Sequence, residues 1–542
     1  MNKHSISILL NLTLVAYLLL GCVLSNPPPT TTGRSTHTPT PATGTPSPTA
    51  TIRSTHTPAP ATETPPPTTT VRPTNAAAQW WDWNDLSLYK RAMRPQFAAD
   101  VERFATATRY AIDLNIDLNT LTLRGVAHVR YTNHETEPLH EIVFRLLPHT
   151  PSFGGNMQVR QVTLNDQPAS FDLKWQGSAI YVPLDEPLLP NRAIDLALTF
   201  DDTLPADDLA GYAQYGYMND VLALPNAYPM IPVYDDEGWN VELSPSYGDA
   251  TFSDTALYLV RVTLAAEMIP AVSGVIVDQQ DNPDGTTTYT CASGPMRDFN
   301  IVASRHYQTM SEQVGQILIT SYYMPGDEKG SQLILDYTVH ALDFYQEQFG
   351  PYPFNELDVM ATPTQAGGIE YPGMYVAAQH LYDRVGGFFE MVAVHETAHQ
   401  WWYSLVGNDQ IDEPWLDESL TQYASLLYFE HRYGDDVAQS ILQDSFEGWY
   451  KSLGEQEQKI AVGLPVAAYN EHTYGAIVYG KGPLFFHALR QRVGDKAFGE
   501  ILHAYFQQYR YDIAYPQDFI DLAEQVSGQQ LDTLYDTWIL GH

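Results

Sequence analysis

His395-Glu396-Thr397-Ala398-His399 is the stretch on which the reading of this chain turns. It lies within Phe388–Val406, whose apolar residues predict one helix stopped by Gly407-Asn408. Positions i and i+4 share a helical face, so His395 and His399 can grip one cation. Zinc suits neutral imidazole and takes about four ligands, one of them water in a catalytic site. Glu396, beside the first histidine, is then placed to act as general base.

C-terminal to this stretch, the polar loop Asp409–Glu413 leads to Pro414-Trp415 and a second predicted helix, Leu416–Arg432. That helix carries Asp417-Glu418. The pattern His-Glu-x-x-His-x18-Glu lets an antiparallel helix return a carboxylate to the metal. Spacing alone leaves Asp417 and Glu418 both open. Two histidines, one carboxylate and a water are the ligand set of a catalytic zinc site, with one ion per chain.

Further out, the period of the chain divides it. From Gly330 onward it reads as mostly helical, with Gln332–Phe349, Gly480–Val493 and Pro516–Val526 as further helices. A short strand, Leu357–Ala361, and a Gly-rich segment interrupt that pattern. Residues 110–304 instead alternate apolar and polar positions. Tyr110–Asp117, Leu121–Tyr131, Glu141–Leu147, Ile194–Phe200 and Ala256–Leu264 read as half-buried strands. The expected class is α+β and multidomain. An antiparallel β domain over residues 79–307 precedes a mostly helical catalytic domain over residues 308–542.

Residues 1–22 read as an export leader. Lys3 is followed by an apolar run, Ile8–Leu20, that ends in Leu19-Leu20-Gly21-Cys22. This ending is similar to a lipoprotein cleavage box, in which the cysteine is lipidated and becomes the new N-terminus. The expected location is extracytoplasmic, on a bacterial membrane at the cell surface or periplasmic side, tethered through Cys22. Residues 23–78 are rich in Thr and Pro and repeat Arg-Ser-Thr-His-Thr-Pro at 34–39 and 53–58. Such composition cannot bury a core and reads as an extended stalk.

The 542 residues carry 28 Lys+Arg against 64 Asp+Glu, a net charge of -36. Lys3, Arg34, Arg53, Arg72 and Glu63 are the charged side chains of residues 1–78, so the remainder carries -39. That acidity argues against a nucleic-acid partner. Cys22 and Cys291 are the two cysteines and Cys22 lies in the leader, which excludes a disulfide framework.

These residues resemble the aminopeptidase N family of zinc metallopeptidases, a branch of the gluzincins. Four further segments carry the resemblance. Gly367-Gly-Ile-Glu-Tyr371 is similar to Gly-x-Met-Glu-Asn, and Trp415-Leu-Asp-Glu-Ser419 to Trp-Leu-Asn-Glu-Gly. Tyr479-Gly-Lys-Gly482 is similar to Tyr-x-Lys-Gly, and Met296-Arg-Asp-Phe299 to a segment near the end of the family's N-terminal domain. The resemblance covers about residues 100–542. It implies a saddle- or sandwich-like β domain followed by a thermolysin-like peptidase domain. The chain ends about where that domain ends, without the large helical C-terminal domain of longer members.

The resemblance implies a role for each residue. Zinc sits on His395, His399 and Glu418, the last chosen over Asp417 on this ground. Glu396 moves the proton, and Tyr479 donates to the developing oxyanion, with Tyr474 a rival for that role. Glu370 binds the free α-amine of a peptide, and Gly367 and Gly368 let its backbone approach as an added strand. Ile369 and Tyr371 depart from the family's Met and Asn, which bears on the amine end. The implied activity is removal of N-terminal residues from extracytoplasmic peptides. The alternatives are a zinc endopeptidase of the same fold, or an inactive surface scaffold with a structural zinc.

Overall fold

The computed structural model describes residues 79–206, 210–384 and 386–542. The leader and the Thr/Pro-rich segment lie outside the described residues.

Alternation of apolar and polar side chains builds the N-terminal part as packed sheets. The largest has eight strands, with Arg109–Asp117 at its centre between Thr122–Thr132 and Leu257–Ala265. The sheet is antiparallel except where Arg109–Asp117 runs parallel to Leu257–Ala265. Inward-facing residues such as Ile112, Leu114, Val129, Leu198 and Val260 share one core with Phe144 and Leu224 of two smaller sheets. Tyr110 stacks on Tyr258 with ring centroids 4.9 Å apart. Cys291 is a buried free thiol in the same core.

Gln308–Val314 and Ile317–Tyr323 form a hairpin that belongs to a different, five-stranded sheet. The remaining strands are Glu356–Thr362, Met374–Ala378 and, at the edge, Gly368–Tyr371. Helices Glu328–Gln348 and Gly387–Ala398 pack beside it, the second touching the two strands nearest the edge. The helical C-terminal region completes the second core around Trp401, Trp402, Trp415 and Phe485. The order is therefore a multi-strand β region followed by a helical region, as the periodicity predicts.

One helix is shorter than its sequence pattern. The helix predicted over Phe388–Val406 ends at Ala398, with His399 as its cap. Tertiary packing overrides the apolar periodicity there. Trp401 donates to the Gly350 carbonyl at 3.0 Å, and Trp402 lies against Phe349 with ring centroids 4.8 Å apart. Tyr403 then takes φ = +101°, a conformation no helix accommodates.

Candidate active site

The helix Gly387–Ala398 places His395, Glu396 and His399 at its C-terminal end, where the backbone dipole favours a cation. The chain returns through a wide π-helical turn, Trp415–Ser419, which opens the helix Leu420–Tyr433 and carries Glu418. A second π-helical turn, Gly475–Lys481, carries Tyr479. Ser419 Oγ ties the two turns by donating to the Val478 carbonyl at 2.5 Å. Such turns alter the direction of side chains relative to a regular helix and recur at functional sites.

Three donor atoms converge. His395 Nε2 lies 3.1 Å from His399 Nε2 and 3.2 Å from Glu418 Oε2. His399 Nε2 lies 3.4 Å from that same oxygen. Ligands about 2.0–2.1 Å from a tetrahedral zinc stand roughly 3.3 Å apart, so the triangle has the size the ion requires. His399 Nδ1 donates to the Trp402 carbonyl at 3.0 Å, which leaves the Nε2 lone pair facing the centre. Electrostatics agree with the geometry. Burial opposes charge on His399, but Glu370, Glu418 and Glu396 outweigh it and raise the imidazole. Burial likewise opposes charge on Glu418, and the two histidines outweigh it and hold the carboxyl below its ordinary range. The residues fit zinc.

Glu396 is buried, and its Oε2 has no hydrogen-bond partner. Burial, then the neighbouring Glu370, raises its carboxyl well above the usual range. Tyr479 donates its hydroxyl to Glu418 Oε1 and lies 6.0 Å from the His395 ring. Tyr474 is buried one ring further out, 5.9 Å from Tyr479, and its hydroxyl has no partner. The structure thus places Tyr479, rather than Tyr474, on a metal ligand. Asp417 faces away from the triangle and accepts from Gln410 Nε2 at 2.8 Å.

The edge strand Gly368–Tyr371 pairs only with Met374–Ala378 among the described residues. Its free edge is open to a peptide as an added strand. Its alternation settles which side chains face the site. Gly368 and Glu370 lie on the side of the zinc-motif helix. Ile369 and Tyr371 lie on the other face, in an apolar cluster with Met360, Met374 and Val376. Their departures from the family's Met and Asn are therefore buried, although the charges of Glu370 and Asp249 still bear on the Tyr371 hydroxyl. Gly367 lies close to Val392, which a Cβ would approach to 3.1 Å. A Cβ on Gly368 would overlap the Glu396 carboxylate, so glycine there admits the base as well as the substrate. We expect Gly368→Ala to displace Glu396 and lower kcat about 100-fold with zinc content unchanged. Steady-state kinetics with metal analysis on the same sample check this.

Two site residues have no signal in the local sequence. Asp249 arrives from the irregular segment before Leu257–Ala265, and its carboxylate joins those of Glu370 and Glu418 within 4.8 Å of one another. Its Oδ2 has no partner. Gln410 is buried between carboxylates, donating to Glu370 Oε1 at 3.2 Å as well as to Asp417. Only the tertiary fold brings these groups to the zinc-motif helix.

A helix-borne pair of imidazoles, a carboxylate from the following helix and a carboxylate beside them form the donor set and base of a catalytic zinc site. Residues 333–538 match the family model described as Peptidase family M1 domain. Over 228 residues the chain is 29% identical to Aminopeptidase M1-C of Oryza sativa subsp. japonica, a match covering 40% of this chain and 26% of the relative. It is 28% identical over 235 residues to Aminopeptidase N of Lactococcus lactis subsp. lactis, covering 39% of this chain and 26% of that one. Against Aminopeptidase N of Canis lupus familiaris it is 26% identical over 329 residues, covering 56% and 33%. The chain spans about a quarter to a third of the length of these curated relatives. Its fold is similar to that of the M1 zinc metallopeptidase of Deinococcus radiodurans. The TM-score is 0.58 at 22% identity, over 80% of this chain and 94% of that one. A mutant of that protein bound to a Tyr-Ser-Ala substrate gives 0.61 at 22% identity, over 80% and 93%.

Proposed function

We propose that this chain is a zinc-dependent aminopeptidase that removes N-terminal residues from peptides outside the cytoplasm. The observation that carries the reading is the pair of carboxylates, Glu370 and Asp249, beside the ligand Glu418. Anionic groups at that distance suit the ammonium of a peptide whose first carbonyl lies at the metal. The edge strand orients the backbone leading away from it.

His395, His399 and Glu418 would hold zinc, which when bound would supply Lewis-acid chemistry to the scissile carbonyl and to water. Glu396 accepts the proton of the attacking water at its unpartnered Oε2 and delivers it to the leaving nitrogen. Tyr479 already points its hydroxyl proton into the site, toward Glu418. Shifting that hydrogen bond to the developing oxyanion stabilises the transition state by about 3–4 kcal/mol.

The test uses peptides with a free or an N-acetylated amine, with and without chelator. Hydrolysis of the free peptides, its loss on chelation and inert acetylated peptides are the expected results. Equal cleavage of both forms would instead establish an endopeptidase. A purified protein without zinc or activity would establish the scaffold. The extracytoplasmic part of the proposal rests on Leu19-Leu20-Gly21-Cys22. Cys22→Ala is expected to move the protein from the membrane to the soluble fraction, and unchanged partitioning would remove the lipid anchor.

A further inference from the structure

Met296-Arg297-Asp298-Phe299 lies in the link between strands Thr286–Ala292 and Asn300–Ser304, outside the helices that form the zinc site. Its two charges are nevertheless fully enclosed, with Arg297 1% and Asp298 0% exposed. Burying a guanidinium and a carboxylate this deeply is costly unless each is fully engaged. Arg297 Nε donates to the Tyr403 carbonyl at 2.8 Å, and its two terminal nitrogens donate to the carbonyls of Ser253, at 3.0 Å, and Asp512. Asp298 accepts the Tyr403 hydroxyl, and accepts from Asn300 Nδ2 at 2.6 Å. Both charges therefore close on the same residue, Tyr403. Gly407 gives the guanidinium its passage, since a Cβ there would overlap it.

Tyr403 is the residue with φ = +101° that follows the zinc-motif helix. Its N–H donates to the Val406 carbonyl at 2.8 Å. That N–H and the Trp402 carbonyl belong to one planar peptide group and point in opposite directions. Fixing the N–H therefore aims the Trp402 carbonyl, the group that accepts the His399 Nδ1 proton at 3.0 Å. With Nδ1 protonated, Nε2 keeps the lone pair that faces the metal.

We infer that Arg297 and Asp298 are positioning residues for zinc. They hold Tyr403 in its left-handed conformation, which keeps the Trp402 carbonyl on His399 and fixes that ligand's tautomer and ring orientation. The β region thereby sets the metal affinity of the helical region, although Arg297 and Asp298 lie outside the triangle of His395, His399 and Glu418. This rests on the zinc-site assignment made above. Partners that orient a metal-bound imidazole are worth about 10- to 100-fold in metal affinity.

The experiment measures the zinc dissociation constant by competition with a chelator, the thermal midpoint of the zinc-free protein, and the visible spectrum of the cobalt(II)-substituted protein. The variants are Tyr403→Phe, which removes the Asp298 contact alone, and Arg297→Lys, which keeps the charge but loses the three-way fork. Arg297→Met is a harsher variant whose folding is at risk, so the first two decide. The expected result is zinc binding weakened about 10- to 100-fold with an altered cobalt spectrum, while the zinc-free protein remains folded. KM for peptide is expected to stay within twofold once zinc saturates. Zinc affinity within twofold of wild type in both folded variants would overturn the inference. Failure of the wild-type chain to bind zinc would overturn the zinc-site assignment instead.

Discussion

Glu396→Gln is expected to lower kcat by about 1,000- to 10,000-fold while the protein keeps its zinc and its fold. The substitution preserves volume, so the helix and the passage over Gly368 stay filled. Glu396 Oε2 has no hydrogen-bond partner, and no hydrogen bond from that oxygen is broken by the change. What disappears is the ability to take a proton from water and return it to the leaving nitrogen. Stability should hold or rise. Glu396 is buried beside Glu370 and Glu418, whose charges oppose its ionisation. A neutral amide removes that repulsion. Kinetics on an aminoacyl amide, zinc content and a thermal midpoint measured on one preparation decide the matter. A kcat within tenfold of wild type would remove Glu396 as the base. Loss of zinc together with activity would make it a ligand.

The zinc triangle is legible in the sequence because its geometry is local. His395 and His399 share a helical face, and Glu418 lies one loop and one helical turn away. The resemblance, rather than the spacing, separates Glu418 from Asp417, and in the structure the Gln410 amide holds Asp417 aside. Strands such as Arg109–Asp117 are legible because each buries one face, and alternation is the direct trace of that. Asp249 is not legible, since an irregular segment with no periodicity carries it to Glu370 and Glu418. The end of the zinc-motif helix is hidden for a related reason. Trp401, Trp402 and Val406 continue an apolar helical pattern, yet their packing against Gly350 and Phe349 and the Arg297 fork at Tyr403 require a turn there. Local pattern reports which faces are buried. It does not report which distant partner buries them.

The second large effect is expected at the amine pocket. Glu370→Gln should reduce kcat/KM for free peptides by about 30- to 5,000-fold, corresponding to about 2–5 kcal/mol for losing one partner of a buried charge pair. Glu370 is 8% exposed and bonds to Gln410 Nε2, so the substituted amide keeps a polar neighbour and the strand should stay paired. The loss should fall mainly on KM, because the ammonium is bound before the reaction and stays bound through it. Asp249→Asn should act in the same direction but less strongly. Asp249 comes from an irregular segment, whereas Glu370 is fixed on a paired strand. The two carboxylates converge on one ammonium, so the double variant should lose less than the sum of the single losses. Wild-type protein should leave N-acetylated peptides intact, and neither variant should gain them at the rate of the free peptide. Unchanged KM in both variants would place the amine elsewhere and return the endopeptidase reading. A loss confined to kcat would mean that Glu370 acts on Glu396 or Glu418 through charge alone. The predicted split between KM and kcat therefore separates an amine clamp from a group that only tunes its neighbours.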